Sequence, residues 1–536
     1  MTEKKQILKS ASIITLLTIA SRIFGYVRDQ RIALLLGTSL AADSFLLAFR
    51  IPNLLRRLVG EGSMTASFIP VFTTYLTDKS KEEVWDFANR LFWTLATVVA
   101  ALAILGMIFS PAVIRAFTFF GEDPKHWGQA IELNRIIFPY IFFIALAALA
   151  MAILNCLHVF GLPAATPILL NVSIIVFSVG LVWRQFRDPA VALAVGVVVG
   201  GALQFLAQVP ELVRQGMHFK FGFSFSHPGI RSVGRLMVPG FFGIGIAHVN
   251  FFVDSIFATA PKMPEGSLFS LYLADRVMEL VLGGYAIAVA TAILPMMSKQ
   301  AAAHDFDNLK KTFAFALRIV SYITIPATVG LVILREPIIR VLFEHGEFRA
   351  DSTVLTARAL LYYALGLPAF AAVKLIVPAF YSTQDTRTPV RVAMYALGMN
   401  ALLNTIFLKS FFQTFVNGGP AFATVLSAYF NFFMLFVIFR QRFGRLGTFQ
   451  ILASLFKISV CSAAMGVLCF GMLKISRFQT YTHFLPMVVV LTLMLVAATA
   501  FYIALSWIMR CTEVEEVYGI ATRKEERAAG ASNLTG

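Results

Sequence analysis

The sequence has 536 residues, of which 58% are hydrophobic and 14% are charged. Soluble domains average about 45–50% apolar and about 25% charged residues, so this composition excludes a chain of ordinary soluble domains. A formal net charge of +16 would suggest nucleic-acid binding in a soluble protein. Here we attribute most of that charge to the basic cytoplasmic loops of a membrane protein, and we expect no nucleic-acid partner.

Apolar stretches of about 20 residues recur along nearly the whole chain, and each is long enough to cross a hydrocarbon core of about 30 Å. Uninterrupted runs such as FLPMVVVLTLMLVAATAFYIALSWIM (484–509) exclude the alternating pattern of a transmembrane barrel. We therefore predict an all-α polytopic membrane protein with about fourteen transmembrane helices. The predicted spans are 10–36, 43–76, 84–118, 131–158, 165–185, 189–212, 232–260, 267–298, 309–343, 353–381, 389–409, 420–440, 449–473 and 484–510.

The first span follows a basic N-terminus and resembles a signal peptide, but no convincing cleavage site follows it, so we interpret it as uncleaved. Lysines and arginines in the loops on the N-terminal side outnumber those on the opposite side by roughly two to one. Both termini are therefore predicted to be cytoplasmic. The polar segment 511–536 is predicted to be a cytoplasmic tail.

The second span carries a stripe of charge along one helix face. Asp43, Arg50, Arg57 and Glu61 are spaced 7, 7 and 4 residues apart, which places them within about 40° of one line along a helix. A charge at the bilayer centre costs about 2.5–3.5 kcal/mol on insertion scales, so the stripe must face protein or water. Further polar residues flank the stripe or lie in the first and eighth spans: Asn53, Arg56, Arg22, Arg28, Asp29, Asp275, Arg276 and Glu279.

Two interpretations of these charges remain open. They could form internal salt bridges, with the outermost side chains reaching the membrane surface. Alternatively they line a cationic cavity between two halves of the protein, since arginines exceed carboxylates in the set. Guanidinium groups bind phosphate with paired hydrogen bonds, so this cavity would suit a pyrophosphate.

The seventh span contains Asn250 and Asp254, one turn apart on the same face. An acidic residue inside a membrane is a candidate site for a coupling cation or a proton, although a structural partner for an arginine is an equal alternative. Asn400, Asn404 and Thr424 in the eleventh and twelfth spans are candidates for further oxygen ligands. The sequence does not identify a metal.

The chain repeats itself at an offset of about 222–226 residues. The segment 46–72 resembles 272–297, so that Arg50 corresponds to Arg276 and Pro70 to Pro295. A repeat of six spans keeps its orientation, which makes the two copies parallel. We predict two pseudo-symmetric six-helix bundles, 1–215 and 216–445, followed by two additional helices in 446–510 and the tail 511–536.

Four stretches identify a family resemblance: SRIFGYVRD (21–29), ADSFLLAFRIPNLLRRLVGEGSMTASFIPVF (42–72), LADRVMEL (273–280) and YSTQDTRTPV (381–390). They resemble the signature stretches of the MurJ (MviN) family of bacterial lipid II flippases, in the multidrug/oligosaccharidyl-lipid/polysaccharide exporter superfamily. The resemblance runs through essentially all fourteen spans. It implies two six-helix bundles in a V shape with two C-terminal helices, which agrees with the repeat.

The resemblance implies transport of lipid II, an undecaprenyl-pyrophosphate-linked disaccharide-pentapeptide, across the bacterial inner membrane by alternating access. It also implies membrane lipids and cell-wall synthesis proteins as partners, and no cofactor. Coupling to sodium, protons or the membrane potential stays open. Some family members place sodium among acidic and amide side chains of helices 7, 11 and 12, whereas here Asp254 is the only acid and Asn404 stands where a second carboxylate is expected.

The family's functional residues carry over as the charged and amide residues already named in the first, second and eighth spans. Three rival functions remain. A related exporter would carry another substrate, such as an antimicrobial or another polyprenyl-pyrophosphate-linked glycan. A membrane enzyme acting on polyprenyl phosphate would need an acidic metal motif, and the one DxD-like pair, Asp305 and Asp307, is better explained as a helix cap. A non-transporting scaffold has no evident need for charges inside the membrane.

Overall fold

The computed structural model describes the backbone of residues 3–56, 64–118, 127–186 and 188–514. Within these ranges it describes every side chain except those of 3–11, 55, 65, 66, 181, 238–251 and 284–288. All regular secondary structure in this part of the chain is helical, which confirms the predicted all-α class. Among the predicted site residues, Arg57, Glu61 and the side chain of Asn250 lie outside the described part.

The first twelve helices occupy the N-terminal half of the chain. They are α1 (Glu3–Leu36), α2 (Leu40–Arg56), α3 (Met64–Asp78), α4 (Lys81–Ile108), α5 (Ser110–Phe117), α6 (Gly128–Ile137), α7 (Tyr140–Cys156), α8 (Gly161–Phe177), α9 (Gly180–Trp183), α10 (Pro189–Leu206), α11 (Val209–Arg214) and α12 (Pro228–Ala258).

Nine helices follow in the C-terminal half. They are α13 (Ser267–Ala302), α14 (Phe306–Phe343), α15 (Ala350–Leu365), α16 (Leu367–Ser382), α17 (Arg387–Ser410), α18 (Phe412–Phe415), α19 (Gly418–Phe443), α20 (Thr448–Ser476) and α21 (Phe484–Ile508). A single 3-10 turn, Phe478–Thr480, lies between α20 and α21.

Each predicted span coincides with one helix or with two consecutive helices. The second span corresponds to α2 and α3, and the tenth corresponds to α15 and α16. In the described residues, eight helical segments are long and apolar enough to cross a membrane, and the bent α15–α16 pair makes nine. The chain is therefore a multi-pass membrane protein, while the count of fourteen spans stays a prediction.

Local sequence explains where several helices begin. The Ser80 side chain accepts a hydrogen bond from the Glu83 backbone N–H, and the Glu83 carboxylate accepts one from the Ser80 N–H, which forms a capping box at the start of α4. At the start of α14, the Asp305 side chain accepts from the Asn308 N–H at 3.1 Å. The capping interpretation of the DxD-like pair is therefore confirmed for Asp305.

The chain divides into two compact units. The first comprises Met1–Phe269 with His345–Arg349, and the second comprises Ser270–Glu344 with Ala350–Gly536. Helix α12 belongs to the first unit, where it packs mainly against α3. The predicted boundary between the two six-helix bundles, at 215/216, is derived from the internal repeat and remains a prediction. Packing alone groups α12 with the helices before it.

The core of the first unit is built where α3, α4 and α7 meet. Phe68, Phe72 and Phe87 are fully buried, and their rings lie 4.8–6.3 Å apart. Rings at such distances interact through offset or tilted geometries in addition to burying apolar area. The apolar alanine-rich face of α7 packs against the same cluster.

The core of the second unit joins the two C-terminal helices to α14. Tyr322 of α14, Cys461 of α20 and Met494 of α21 all belong to one buried cluster. The Tyr502 hydroxyl donates a hydrogen bond to the Tyr322 carbonyl at 2.8 Å. Helices α20 and α21 are therefore packed parts of the second unit.

Helices α15 and α16 meet at a bend of 44°. The bend interrupts the backbone hydrogen-bond ladder, and side chains from neighbouring helices bond the carbonyls at the break. The Thr328 hydroxyl donates to the Ala364 carbonyl at 3.0 Å, and the Tyr429 hydroxyl donates to the Leu365 carbonyl at 2.9 Å. These donors replace water, which the hydrocarbon core does not supply.

Candidate functional site

Arg28 and Asp29 of α1 form a buried ion pair. Their residues are 7% and 4% exposed, and Arg28 donates from Nε and Nη2 to Asp29 Oδ1 at 2.9 and 2.6 Å. Arg28 Nη1 also donates to the Asn171 side-chain oxygen of α8 at 3.0 Å. This network fastens α1 to α8, so both charges have specific protein partners. Arg22, six residues earlier, is exposed.

Asp43 is buried at the start of α2 and caps a different helix. Its two carboxylate oxygens accept hydrogen bonds from the backbone N–H groups of Gly266 and Phe269, at 2.9 and 2.8 Å. These amides lie immediately before and within the first turn of α13, where N–H groups lack partners inside the helix. A carboxylate there also interacts favourably with the positive end of the helix dipole.

The turn between α1 and α2 makes close backbone contacts next to Asp43. Gly37 has φ of +57°, and a Cβ atom at this position would lie 2.5 Å from the Glu347 carbonyl oxygen. Gly266 has φ of +77°, and a Cβ atom there would overlap the Thr38 backbone. The Glu347 N–H donates to the Leu34 carbonyl at 2.9 Å. Only glycine fits both turns without moving the backbone.

Three further polar residues of α2, Arg50, Asn53 and Arg56, also have protein partners. Arg50 Nη1 donates to the Ser255 hydroxyl of α12 at 2.5 Å. Arg56 Nε donates to the Asn53 side-chain oxygen at 2.8 Å, within the same helix. The half-buried Arg50 guanidinium therefore joins α2 to α12 through the Ser255 hydroxyl. Neighbouring Asp254 is half-buried on α12.

The charges of α13 are arranged differently. Arg276 Nη1 donates to Glu279 Oε2 at 3.0 Å, and Arg276 Nε donates to the Tyr272 hydroxyl at 3.1 Å. The guanidinium carbon lies 5.1 Å from the centre of the Tyr272 ring, in a cation–π arrangement. The side chains of Arg276 and Glu279 are 38% and 48% exposed. Asp275 is half-buried on the same helix.

Three of the predicted cation ligands come together in the second unit. Asn400 Nδ2 donates to the Thr424 hydroxyl at 2.9 Å, and Asn404 Nδ2 donates to the Asn400 side-chain oxygen at 3.0 Å. Asn400 and Asn404 are buried. This cluster of two amides and one hydroxyl joins α17 to α19. Asp254 belongs to the first unit. The described residues contain no group of three or more His, Cys, Asp or Glu placed to hold a metal ion.

The YSTQDTRTPV stretch forms a polar junction between α16 and α17. Asp385 accepts from the Thr388 N–H at 3.0 Å, from the Thr388 hydroxyl at 2.7 Å and from Arg442 Nη1 at 2.7 Å. Burial raises the pKa of Asp385, but the hydrogen bonds from Thr388 and Arg442 outweigh it, so the pKa lies below its usual value. The stretch therefore ties the start of α17 to the end of α19.

Sequence analysis missed several residues of these networks. Asn171 and Ser255 bind Arg28 and Arg50, and Ser178 accepts a hydrogen bond from Arg31. Asn171 interrupts the apolar run ILLNVSIIVF, which was a usable signal of a buried polar contact. Lys374 is half-buried in the middle of α16 and is not among the predicted site residues. An ionisable residue inside a spanning segment is a functional-site hypothesis in itself.

Comparisons with known proteins agree with the motifs. A family model described as "Lipid II flippase MurJ" matches residues 32–491. A MurJ relative from Vibrio cholerae is 37% identical over 447 residues, which cover 81% of this chain and 83% of the relative. A solved structure of "Lipid II flippase MurJ, inward closed conformation" superposes with a TM-score of 0.74 and 26% identity, and covers 92% of this chain and 98% of that one.

A more distant structure shows the wider fold. An inward-facing multidrug resistance MATE family transporter of the MOP superfamily gives a TM-score of 0.64 at 14% identity, and covers 81% of this chain and 99% of that one. This likeness shows a shared fold. The family match confirms the prediction of a transporter and not an enzyme. Because the family model spans most of the sequence, the chain belongs to the MurJ family of lipid II flippases.

Proposed function

We propose that this protein moves lipid II from the cytoplasmic to the outer leaflet of the bacterial inner membrane. The observation that carries the proposal is the match of residues 32–491 to the lipid II flippase family. The arginines of the spanning helices support it, because guanidinium groups bind phosphate with paired hydrogen bonds and lipid II carries a pyrophosphate.

The test measures where lipid II accumulates when the protein is removed. In cells in which this chain is the only flippase, depletion should leave newly made lipid II inaccessible to a lipid II-cleaving enzyme added from outside. Restored expression should return accessibility. If depleted cells expose as much lipid II as expressing cells, this function is refuted. Trapping of another polyprenyl-pyrophosphate-linked glycan, with lipid II still exposed, would assign the chain to the related exporters.

We further propose that transport proceeds by alternating access and that Arg50 and Arg276 share the pyrophosphate. The ion pair of Arg276 can be exchanged at small cost. Arg50 donates to a neutral hydroxyl, and Arg276 pairs with Glu279, which is about half exposed. Exposed ion pairs contribute about 0–1 kcal/mol to stability, so a pyrophosphate can displace the carboxylate. Substitution of each arginine, measured as lipid II flipping, tests this role.

The membrane orientation is part of the same proposal, with both termini in the cytoplasm. In a background without Cys156, Cys461, Cys469 and Cys511, a single cysteine at position 79 or 442 should be protected from an impermeant thiol reagent in spheroplasts. Cysteines at positions 409 and 474 should react. Labelling of the first two positions with protection of the last two would reverse the orientation.

Coupling to a cation or to the membrane potential remains a proposal, for which Asp254 is the acidic candidate. Moving one elementary charge across 100 mV is worth about 2.3 kcal/mol, which is enough to bias transport. We expect Asp254→Asn to impair flipping in proteoliposomes while lipid II binding persists. If wild-type flipping ignores sodium and proton gradients and voltage, Asp254 has no coupling role.

A further inference from the structure

The second unit contains a cavity that none of the predicted site residues lines. Its volume is about 650 Å³, within the range of about 300–1,000 Å³ typical of small-molecule sites. It lies at the end of α14, between the start of α15 and the end of α20 with its following 3-10 turn. Its polar lining residues include Arg340, Glu344, Thr353, Lys474, Arg477 and Thr480.

Arg340 builds one wall of this cavity. Its Nη1 donates to the carbonyls of Phe478 and Gln479 at 3.3 and 3.2 Å, and its Nη2 donates to the Tyr481 carbonyl at 2.9 Å. Its Nε donates to Glu344 at 3.1 Å, and the other oxygen of Glu344 accepts from the Thr353 hydroxyl at 2.6 Å. The turn is therefore fixed in place, and Arg340 and Glu344 neutralise each other.

Two cations remain at the mouth of the cavity. Lys474 lies in the last turn of α20 and Arg477 directly follows that helix. Both are exposed, and neither forms an ion pair with any carboxylate in the described part of the chain. The Lys474 ammonium lies 4.7 Å from the centre of the Phe470 ring. Glu336, the other acidic lining residue, is paired with Arg335 at 3.9 Å. The first turn of α15 adds backbone N–H groups at the positive end of a helix dipole, so the cavity favours an anion.

The surroundings indicate an anion attached to an apolar tail. Exposed apolar side chains lie at or next to the lining residues. Val354 lines the cavity and is 51% exposed, and Ile475, which follows the lining residue Lys474 in sequence, is 85% exposed. The loop after α20 is predicted to lie on the non-cytoplasmic side, where basic residues are scarce. Two cations without carboxylate partners on that side are not accounted for by the positive-inside rule.

We propose that this cavity binds the phosphate headgroup of an anionic phospholipid from the outer leaflet, with Lys474 and Arg477 as its cationic contacts. The acyl chains lie against the exposed apolar surface beside Val354 and Ile475. Arg340 acts as a positioning residue, because three of its hydrogen bonds hold the turn that closes the cavity. This inference does not depend on the identity of the transported substrate.

The test is a native mass spectrometry titration of the delipidated full-length protein in detergent. We expect the wild type to retain dioleoylphosphatidylglycerol in preference to dioleoylphosphatidylcholine, because only the former has a net negative headgroup. The double variant Lys474→Gln/Arg477→Gln should need about thirty-fold more dioleoylphosphatidylglycerol for the same occupancy, since each basic residue attracts an anionic lipid. Both residues are exposed, so the variant should elute as a monodisperse protein.

A matched control removes two positive charges elsewhere on the same predicted side. Lys409→Gln/Lys262→Gln changes two exposed residues outside the cavity and should bind as the wild type does. Equal phosphatidylglycerol binding by the cavity variant, or equal phosphatidylcholine binding by the wild type, would overturn the proposal. So would binding of glycerol 3-phosphate at the same concentration, which would indicate a soluble phosphate. Preferential binding of undecaprenyl pyrophosphate, lost in the cavity variant, would assign the cavity to the polyprenyl carrier.

Discussion

The chain contains two arginine–carboxylate pairs in spanning helices that have the same chemistry and opposite surroundings. Arg28 and Asp29 have side chains that are 9% and 5% exposed, and Asn171 supplies a third partner. Arg276 and Glu279 have side chains that are 38% and 48% exposed. Because burial determines what a broken pair costs, the first pair is suited to hold α1 against α8, and the second can release its arginine to a ligand.

The largest expected effect follows from breaking the buried pair. Asp29→Ala leaves the Arg28 charge buried without its carboxylate, which costs about 3–5 kcal/mol. We expect little folded protein in the membrane and a strongly lowered Tm in detergent. The double variant Arg28→Met/Asp29→Leu should recover much of the loss, because it removes both charges. Wild-type accumulation and an unchanged Tm for Asp29→Ala would contradict the structural role of the pair.

A smaller effect is expected at Asp43, which is buried but bonds backbone groups instead of an arginine. Asp43→Ala removes the acceptor of two N–H groups at the start of α13, and we expect a loss of about 2 kcal/mol. Asp43→Asn retains one side-chain oxygen and should lose less. Thermal unfolding of the purified variants measures the difference. If alanine and asparagine are equally harmless to stability, the carboxylate does not cap α13.

A still smaller effect, dependent on pH, is expected at Asp385. Its pKa is lower in the folded state, so its contribution to stability is complete above the unfolded pKa of about 3.9 and is lost as pH falls through the folded value. Asp385→Asn should therefore lower the free energy of unfolding at pH 7 by less than about 1 kcal/mol, and the Tm should fall slightly. Wild type and variant should converge as the pH falls through the folded pKa of Asp385. A difference that grows on acidification would refute this sign.

The smallest effect on stability is expected at Arg276, where the loss of transport should contrast most sharply with the unchanged Tm. Arg276→Ala should leave Tm and membrane insertion nearly unchanged, because an exposed pair contributes about 0–1 kcal/mol. Flipping of lipid II should nevertheless be lost. Arg276→Lys should restore it partly, since an ammonium keeps the charge but lacks the paired hydrogen-bond geometry. Glu279→Gln is the matched control, because it removes the carboxylate of the pair and keeps the arginine. Normal flipping with alanine at both Arg50 and Arg276 would end the pyrophosphate-binding proposal.

Much of the helical arrangement could be predicted from the sequence, because span length and apolar composition are local properties. Asn400 and Asn404 are four residues apart, so their shared helix face followed from spacing alone, and the structure shows them bonded to each other and to Thr424. Placement of Asp254 with these amides required tertiary information. The structure assigns Asp254 to the first unit and the amides to the second.

The function of Asp43 as a cap shows the limit of pattern analysis. Its partners, Gly266 and Phe269, are more than 220 residues away in sequence, and a periodic stripe cannot reveal them. The same holds for Arg50 and Ser255, which are 205 residues apart. Charge periodicity predicts a shared helix face, but it does not tell which side chains stabilise the fold and which can bind a ligand.

The bend between α15 and α16 limits which substitutions the neighbouring helices can accept. Valine matches threonine in shape, and phenylalanine matches tyrosine, so Thr328→Val and Tyr429→Phe look conservative by volume. Each would leave a carbonyl at the bend, of Ala364 or of Leu365, without its donor in a region where the solvent offers no replacement. Serine at position 328 retains the donor with a smaller side chain. At these two positions polarity, and not size, is therefore expected to decide which natural variants survive.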